Sequence, residues 1–355
     1  MSHAYDESRI LCDWFAIHRR DLPWRNTRDP YRIWISEIIL QQTRVAQGMD
    51  YYHRFIERFP DVRTLADADE QDVLRLWQGL GYYSRARNLH AAARDVRDRF
   101  GGRFPTDYAD VRSLRGIGDY TAAAIASFAT GAPHAVVDGN VLRVLGRLFA
   151  IDTPADTAAG RRLYNELAAR LLPPERAALH NQAIMEFGAL QCIPRNPDCA
   201  ACPLATRCAA ADPHRYPVKQ HRTKTSDRYF HYFYITTDGT DLFLHRRPAG
   251  DIWQGLFELP LIETPTPADL SALIHTDAFR TLFADTGHTE LTLIAADVRH
   301  VLTHRILHAA CYAVRILRPS AALRRFTHTP RTDLDHYPLP RLIERLIALV
   351  DTRED

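Results

Sequence analysis

Apolar residues recur at three- and four-residue spacings from about residue 5 to residue 214, and the pattern stops at PHRYPVKQHRTKTSDR, residues 213–228. A period near 3.6 lays an apolar stripe along one side of an α-helix. Segments such as YRIWISEIILQQTRV, ADEQDVLRLWQGLG and SRARNLHAAARDVRDRF therefore predict a set of packed amphipathic helices. Gly, Pro and Asp punctuation (RDP, FGGRFP, GIGD, VDGN) separates them. The polar break, with two prolines and no apolar period, predicts a linker over 215–228. Beyond it, RYFHYFYITTDGTDLFLHRRP predicts a hairpin around TDGT, HAACYAVRIL another strand, and LPRLIERLIALV a closing amphipathic helix. The expected fold class is a mostly α N-terminal region, 1–214, followed by an α+β domain over 229–355. A length of 355 residues agrees with two domains at roughly 150 residues each.

Composition narrows the chemistry. With 46% hydrophobic and 25% charged residues the chain can bury real cores. No apolar run approaches the roughly 18–20 residues that span a membrane, and MSHAYDESRI lacks the apolar stretch of a signal peptide. The expectation is a cytoplasmic protein with no membrane partner. A net charge of +2 leans only weakly toward anionic partners. The basic residues are lopsided: the only lysines are Lys219 and Lys224, so residues 1–218 hold no lysine amine. Chemistry that needs a lysine Schiff base has no nucleophile there.

Four of the six cysteines form Cys192-x6-Cys199-x2-Cys202-x5-Cys208 just before the linker. A tight set of soft thiolates in a reducing compartment points to a metal centre rather than to disulfides. One CxxC with looser flanking gaps leaves zinc and iron–sulfur both open, the uneven loops favouring iron–sulfur. Cys12 and Cys311 stand apart and read as small buried hydrophobes.

In LRGIGDYTAAAI, residues 114–125, Gly116 and Gly118 flank Ile117 ahead of a helix that opens near Tyr120. Such a turn is either a tight interhelical connection or an anion site built from amides at a helix N-terminus. Leu114 and Ile117 are spaced to pin it into a core. Asp138 precedes the apolar positions of VVDGNVLRVLGRLF and suits an N-cap. Glu37, in WISEIILQQT, shares a polar stripe with Gln41 and Arg44. Taken singly, each carboxylate admits a purely structural reading.

Taken together, LPWR (22–25), WISEIILQQT (34–43), GLGYYSRARNL (79–89), LRGIGDYTAAAI, VVDGNVLRVLGR (136–147), the four-cysteine loop, WQGLFELP and VLTHRILH resemble the adenine DNA glycosylases of the MutY type, in the helix-hairpin-helix superfamily of base-excision enzymes. The resemblance covers nearly the whole chain in order. It implies a six-helix lobe over about 29–135, a second lobe from 1–28 with 136–214, and DNA bound across them by a monomeric enzyme with no further protein-partner motif. It further implies removal of adenine mispaired with 8-oxoguanine after the base is turned out of the stack. Glu37 becomes the acid that protonates adenine N7, Asp138 the anion beside the sugar cation, and Asn140 its polar support. Tyr120 stands where strand-cutting relatives carry a lysine, and is expected to donate a hydrogen bond to Asp138. Trp24, Arg25, Leu40 and Glu186 match positions lining the adenine pocket. Gln42 and Tyr82 match residues wedged into the stack, and the amides around Gly116 and Gly118 grip a phosphate. The cysteines are implied to hold one [4Fe–4S] cluster. Arg20, where some members have lysine, is assigned no role.

The C-terminal third resembles a Nudix-type sheet, yet LIETPTPADLSALIHTDAFRTLF lacks the glutamate-dense helix that a Nudix hydrolase uses to hold magnesium. The resemblance implies a module that recognises 8-oxoguanine. Its short reading loop is Leu302-Thr303-His304 where Phe-Ser-His is common, so Thr303 and His304 are the candidate contacts, Thr303 with a rotamer-restricting methyl group. A strand-cutting glycosylase of the endonuclease III type predicts a hairpin lysine and no second domain, and the sequence has the opposite of both. A non-catalytic DNA binder has no need for both carboxylates.

Overall fold

The computed structural model describes residues 5–220, 225–287 and 290–354, and Lys224 of the linker lies outside the described residues. Contacts divide the chain into two compact units, Met1–Asp67 with Asn88–Arg222, and Ala68–Arg87 with Thr223–Asp355. Among the described residues no helix is long and apolar enough to cross a membrane.

The first unit is helical, with no strand among its described residues. Its helix starts follow from side chains that satisfy the orphan amides of the first turn. Asp29 accepts from Tyr31 N–H with Pro30 at the first helical position, and opens Pro30–Leu40. Asp138 accepts from Val141 N–H and opens Gly139–Leu148. Thr157 caps Ala158–Leu171 through Gly160 N–H. Asp119–Thr130 ends where Gly131 turns left-handed at φ 79°. One core joins Leu11 and Phe15 of Asp6–His18, Val141 and Leu145 of Gly139–Leu148, Tyr164, and Ile184 and Phe187 of Ala177–Leu190. Each such side chain fully buried contributes about 1.5–3 kcal/mol.

Two close approaches fix the geometry that matters later. Asp119–Thr130 carries a run of buried alanines, Ala122–Ala126 apart from Ile125, and packs on Pro30–Leu40. Ala177–Leu190 crosses Gly139–Leu148 at Gly188, where a Cβ would stand 2.7 Å from Asn140 Cβ and 3.0 Å from Asn140 O. Glycine is required there by space.

The second unit is α+β. Its strands are β1 (Ser226–Thr236), β2 (Asp241–Arg246), β3 (Phe257–Glu258), β4 (Leu261–Thr264), β5 (Glu290–Val301), β6 (Arg305–Arg315) and β7 (Thr327–Pro330). They form a four-stranded sheet of order β4-β1-β6-β5 and a three-stranded sheet of order β3-β2-β7. β1 is buried on both faces. Phe230, Tyr232 and Tyr234 point into a core with Leu342, Ile343 and Leu346 of the C-terminal helix Arg341–Glu354. Phe233 and Ile235, on the alternate face, meet Leu273 and Leu282.

One expectation fails here. β1 and β2 flank TDGT but do not pair with each other: β1 has β4 and β6 as neighbours, which fills both of its edges, and β2 goes to the second sheet. The turn is a corner between sheets, closed by Asp241, which accepts from Thr237 N–H at 2.8 Å and from the Thr237 hydroxyl.

Gly188→Ala tests the close helix crossing. It should lower stability by about 1–3 kcal/mol, the range for overpacking, read as a drop in melting temperature; an unchanged melting temperature would show that the crossing relaxes freely.

Candidate active site and nucleic-acid interface

Glu37 sits on Pro30–Leu40, a helix buried at every position from Ile33 to Ile39, and is itself only 8% exposed. Removing a carboxylate from water favours its protonated form. Burial accordingly raises the Glu37 pKa to about 7, the Tyr120 hydrogen bond pulling it down and the Asp138 charge pushing it up. The Tyr120 hydroxyl donates to Glu37 Oε2 at 2.6 Å. This corrects the expected bond from Tyr120 to Asp138. The packing of Asp119–Thr130 on Pro30–Leu40 carries the phenol to Glu37, while the Asp138 oxygens are already engaged. Burial and the two nearby carboxylates hold Tyr120 well above the ordinary phenol range, so it remains a donor.

Asp138 accepts from Val141 N–H at 2.8 Å on Oδ1 and from Asn140 Nδ2 at 2.8 Å on Oδ2. Burial raises its pKa as well, but these two partners and the Arg143 charge oppose the rise. Glu37 has one hydroxyl donor and the Arg25 charge, where Asp138 has a backbone amide, a carboxamide and the Arg143 charge. The proton therefore belongs on Glu37 and the charge on Asp138. Both carboxylates line one cavity of about 550 Å³, together with Trp24, Arg25, Leu40, Tyr120, Asn140 and Glu186.

Arg20 and Arg143, which the sequence left without a role, shape this cavity. Glu186 is 1% exposed, and burial alone would raise its pKa; hydrogen bonds from Arg20 and Arg25 override that and hold it at about 2. Arg20 donates through Nε at 2.9 Å and a terminal nitrogen at 2.6 Å, and Arg25 through both terminal nitrogens at 2.9 and 2.8 Å. Paired forks of this kind fix both position and charge. Arg143, also buried, donates to Asn140 Oδ1 at 2.9 Å and to the Cys192 carbonyl at 2.7 Å. Hydrogen bonds thus run from the cysteine loop through Arg143 and Asn140 to Asp138. An arginine one turn into an amphipathic helix reads as a solvated face, and nothing local in the sequence marks it otherwise.

The glycine turn joins Tyr108–Arg112 to Asp119–Thr130, with Leu114 and Ile117 buried as expected. Gly116 has φ +76°, and a Cβ would stand 2.6 Å from Asn88 Cβ. Gly118 differs: its backbone is extended, open to any residue, and nothing lies within 4 Å of a Cβ there. Only Gly116 is demanded by conformation. Gly118 leaves open space at a helix N-terminus, where first-turn amides lack intrahelical acceptors. Arg112 fastens the turn by donating to Asp119 at 2.6 Å and to the Ile117 carbonyl at 3.0 Å.

Gln42 and Tyr82 are both exposed and both left-handed, at φ 57° and 47°. Strained backbone at an exposed polar or aromatic residue is a mark of functional positions. Gln42 belongs to the first unit and Tyr82 to the second. Within the second unit the Tyr82 and Thr303 hydroxyls lie 2.6 Å apart. They line a cavity of about 580 Å³ with Trp253, His300 and His304.

Cys192 and Cys202 pack against the helical core, and Cys199 and Cys208 are exposed. Cys202 lies within electrostatic reach of the other three. Arg147 donates to Cys192 Sγ at 3.3 Å, and Cys208 Sγ donates to the Arg147 carbonyl at 3.4 Å. Among the described residues no three His, Cys, Asp or Glu side chains group as a site for a single metal ion. Cysteine sulfurs are soft donors that bind metals as thiolates, and a guanidinium stands on one of the four.

Residues 35–169 match the HhH-GPD superfamily of base excision DNA repair proteins, and residues 231–349 match the NUDIX domain. The adenine DNA glycosylase of Mus musculus is 45% identical over 210 residues, which covers 56% of this chain and 41% of the mouse protein. That of Buchnera aphidicola subsp. Baizongia pistaciae is 37% identical over 256 residues, 71% of this chain and 72% of the relative. Among solved structures, a thermostable thymine-DNA glycosylase is 30% identical at TM-score 0.54, covering 58% of this chain and 95% of its own. A trapped endonuclease III–DNA covalent intermediate, 23% identical at TM-score 0.50 over 57% of this chain and 92% of its own, shares the fold.

Tyr120→Phe tests the proton placement. Losing the hydroxyl that favours the ionised form should move the Glu37 pKa above about 7, followed by carbon-13 NMR titration of the carboxyl; a fall or no change would contradict the hydrogen-bond assignment.

Proposed function

The chain belongs to the adenine DNA glycosylase family, and on that premise we propose that it excises adenine mispaired with 8-oxoguanine, and with guanine, from double-stranded DNA. The observation that carries the proposal is the pair Glu37 and Asp138 in one cavity, with environments that separate their affinities for a proton. A volume of about 550 Å³ suits a single base turned out of the stack.

Glu37 then protonates N7 of the extruded adenine. The bonding pair of the N-glycosidic bond leaves with the base, and positive charge develops on the sugar. Asp138, kept ionised by Val141 N–H and Asn140, stabilises that cation; water then bonds to C1′ and releases one proton to solvent, which balances the proton that left with the adenine. Trp24 and Leu40 wall the base, and Arg25 is held in place against it by Glu186. The turn around Gly116 and Gly118 takes a phosphate on its amides, which positions the duplex without reading sequence. Gln42 and Tyr82 enter the stack beside the lesion, and Thr303 with His304 read the oxidised guanine.

Tyr120 is a phenol at the hairpin, and residues 1–218 carry no lysine. An imine with the sugar cannot form there, so the reaction stops at the abasic site. Cys192, Cys199, Cys202 and Cys208 are assigned to a [4Fe–4S] cluster, which when bound would fasten the loop after Ala177–Leu190. Arg147 and Arg143 tie that loop to Gly139–Leu148, the helix that starts at Asp138.

Single-turnover assays on duplex with A opposite 8-oxoguanine should show adenine release reduced by about 10²–10⁴-fold in Glu37→Gln, the scale of general acid catalysis, and by about 10²–10³-fold in Asp138→Asn, the scale of electrostatic stabilisation. Full activity in either variant overturns its role. Strand breaks should appear only after alkali or heat, and borohydride should trap no protein–DNA adduct. Purified protein should be brown, with about four iron atoms per chain; zinc without iron would refute the cluster.

A further inference from the structure

Tyr82 is presented by an unusual turn. Between the helices Glu70–Leu76 and Ser84–Arg99, three residues are left-handed: Gly79 at φ 92°, Gly81 at 71° and Tyr82 at 47°. A non-glycine residue in that region needs surrounding structure that over-determines it. Yet Tyr82 is 47% exposed, so its own ring supplies little of that hold.

The support lies behind it. Trp77 is fully buried and its Nε1 donates to the Gly81 carbonyl at 3.2 Å. Arg85, one turn into the following helix, places its guanidinium over two rings, 5.4 Å from Trp77 and 5.6 Å from Tyr82. The same side chain donates at 3.4 Å to the carbonyls of Leu80 and Gly81, the two residues before Tyr82. Arg85 is half-buried, and loss of water lowers its pKa to about 10. A guanidinium suits this place for geometric reasons: it is planar and stacks on aromatic faces while one terminal nitrogen, Nη2, reaches both carbonyls. An ammonium does none of these together.

We infer that Arg85 is a positioning residue for Tyr82, bracing the strained turn from the protein side so that the Tyr82 ring stands out while its hydroxyl stays on Thr303. The consequence is specific. Arg85 acts through the turn: it sets where Tyr82 and, through the shared hydroxyl contact, Thr303 stand. Its loss should therefore damage discrimination between A opposite 8-oxoguanine and A opposite guanine more than it damages adenine release itself. This inference rests on the reading that Tyr82 and Thr303 face the oxidised base.

The test uses the full chain with the variants Arg85→Met, Arg85→Lys, Thr303→Ala and the double variant Arg85→Met/Thr303→Ala. Single-turnover rates are measured on both mispairs, with the melting temperature of each protein. Arg85→Met should reduce the rate ratio of the two substrates by roughly tenfold, the size of one partly desolvated cation–π contact. Arg85→Lys should recover little of it, because charge alone is not what the turn needs. The double variant should have the ratio of Thr303→Ala alone, since both changes act through one contact. If Thr303→Ala lowers the ratio and Arg85→Met does not, Arg85 has no such role while the lesion-reading loop stands. If Thr303→Ala leaves the ratio unchanged, the loop reading fails and this inference with it. Equal losses on both substrates in step with a lower melting temperature make Arg85 a plain stabilising residue, and should Arg85→Met not fold, full recovery of the ratio in Arg85→Lys overturns the proposal.

Discussion

A carboxyl group in an apolar helix, facing a second carboxylate across a cavity, is the constraint on which the rest of the molecule depends. Glu37 is buried among residues of a helix that would pack well without it. Its folded pKa of about 7 lies above the ordinary 4.5. Between those values the folded state binds more protons than the unfolded chain, so stability falls as pH rises from about 4.5 to about 7 and levels off beyond. The penalty is on the order of 3 kcal/mol at neutral pH. A protein that carries such a group in its core sacrifices stability for a protonated acid near pH 7.

The surrounding structure makes the two carboxylates unlike each other. Asp138 is set at a helix N-terminus, where a backbone amide and the helix dipole favour its charge. Asn140 and Arg143 lie on the same helix and extend that support to the cysteine loop. Gly188 allows the neighbouring helix to approach close enough to hold Asn140 in place. Across the cavity, Arg20 and Arg25 keep Glu186 ionised, which adds fixed charges without competing for the proton on Glu37. The asymmetry comes from several elements of the first unit, each fixed by ordinary packing.

Much of this was legible in the sequence. The helices up to Leu190, the strand grammar after the linker, the cap at Asp138, and the burial of Leu114 and Ile117 all follow from local rules, whereas residues 191–214 carry only short 3-10 turns among the described residues. What local rules could not supply was partner choice. Tyr120 meets Glu37, 83 residues away in the chain, because Asp119–Thr130 packs on Pro30–Leu40. Arg20 and Arg25 find Glu186 across sequence separations of 166 and 161 residues, so the run RRDLPWR gives no hint of an acceptor. Likewise TDGT has the composition of a hairpin, but β1 spends both edges on β4 and β6. Gly116 and Gly118 look equivalent in the sequence, and only backbone geometry tells the conformational glycine from the one that clears space.

The account is tested most directly by the pH dependence of adenine release under single-turnover conditions. A buried acid that must be protonated predicts a rate that falls about tenfold per pH unit above roughly 7, with the break shifting upward in Tyr120→Phe. A rate that stays level from pH 6 to 9, or that breaks near the ordinary carboxyl pKa, would mean that Glu37 does not deliver the proton.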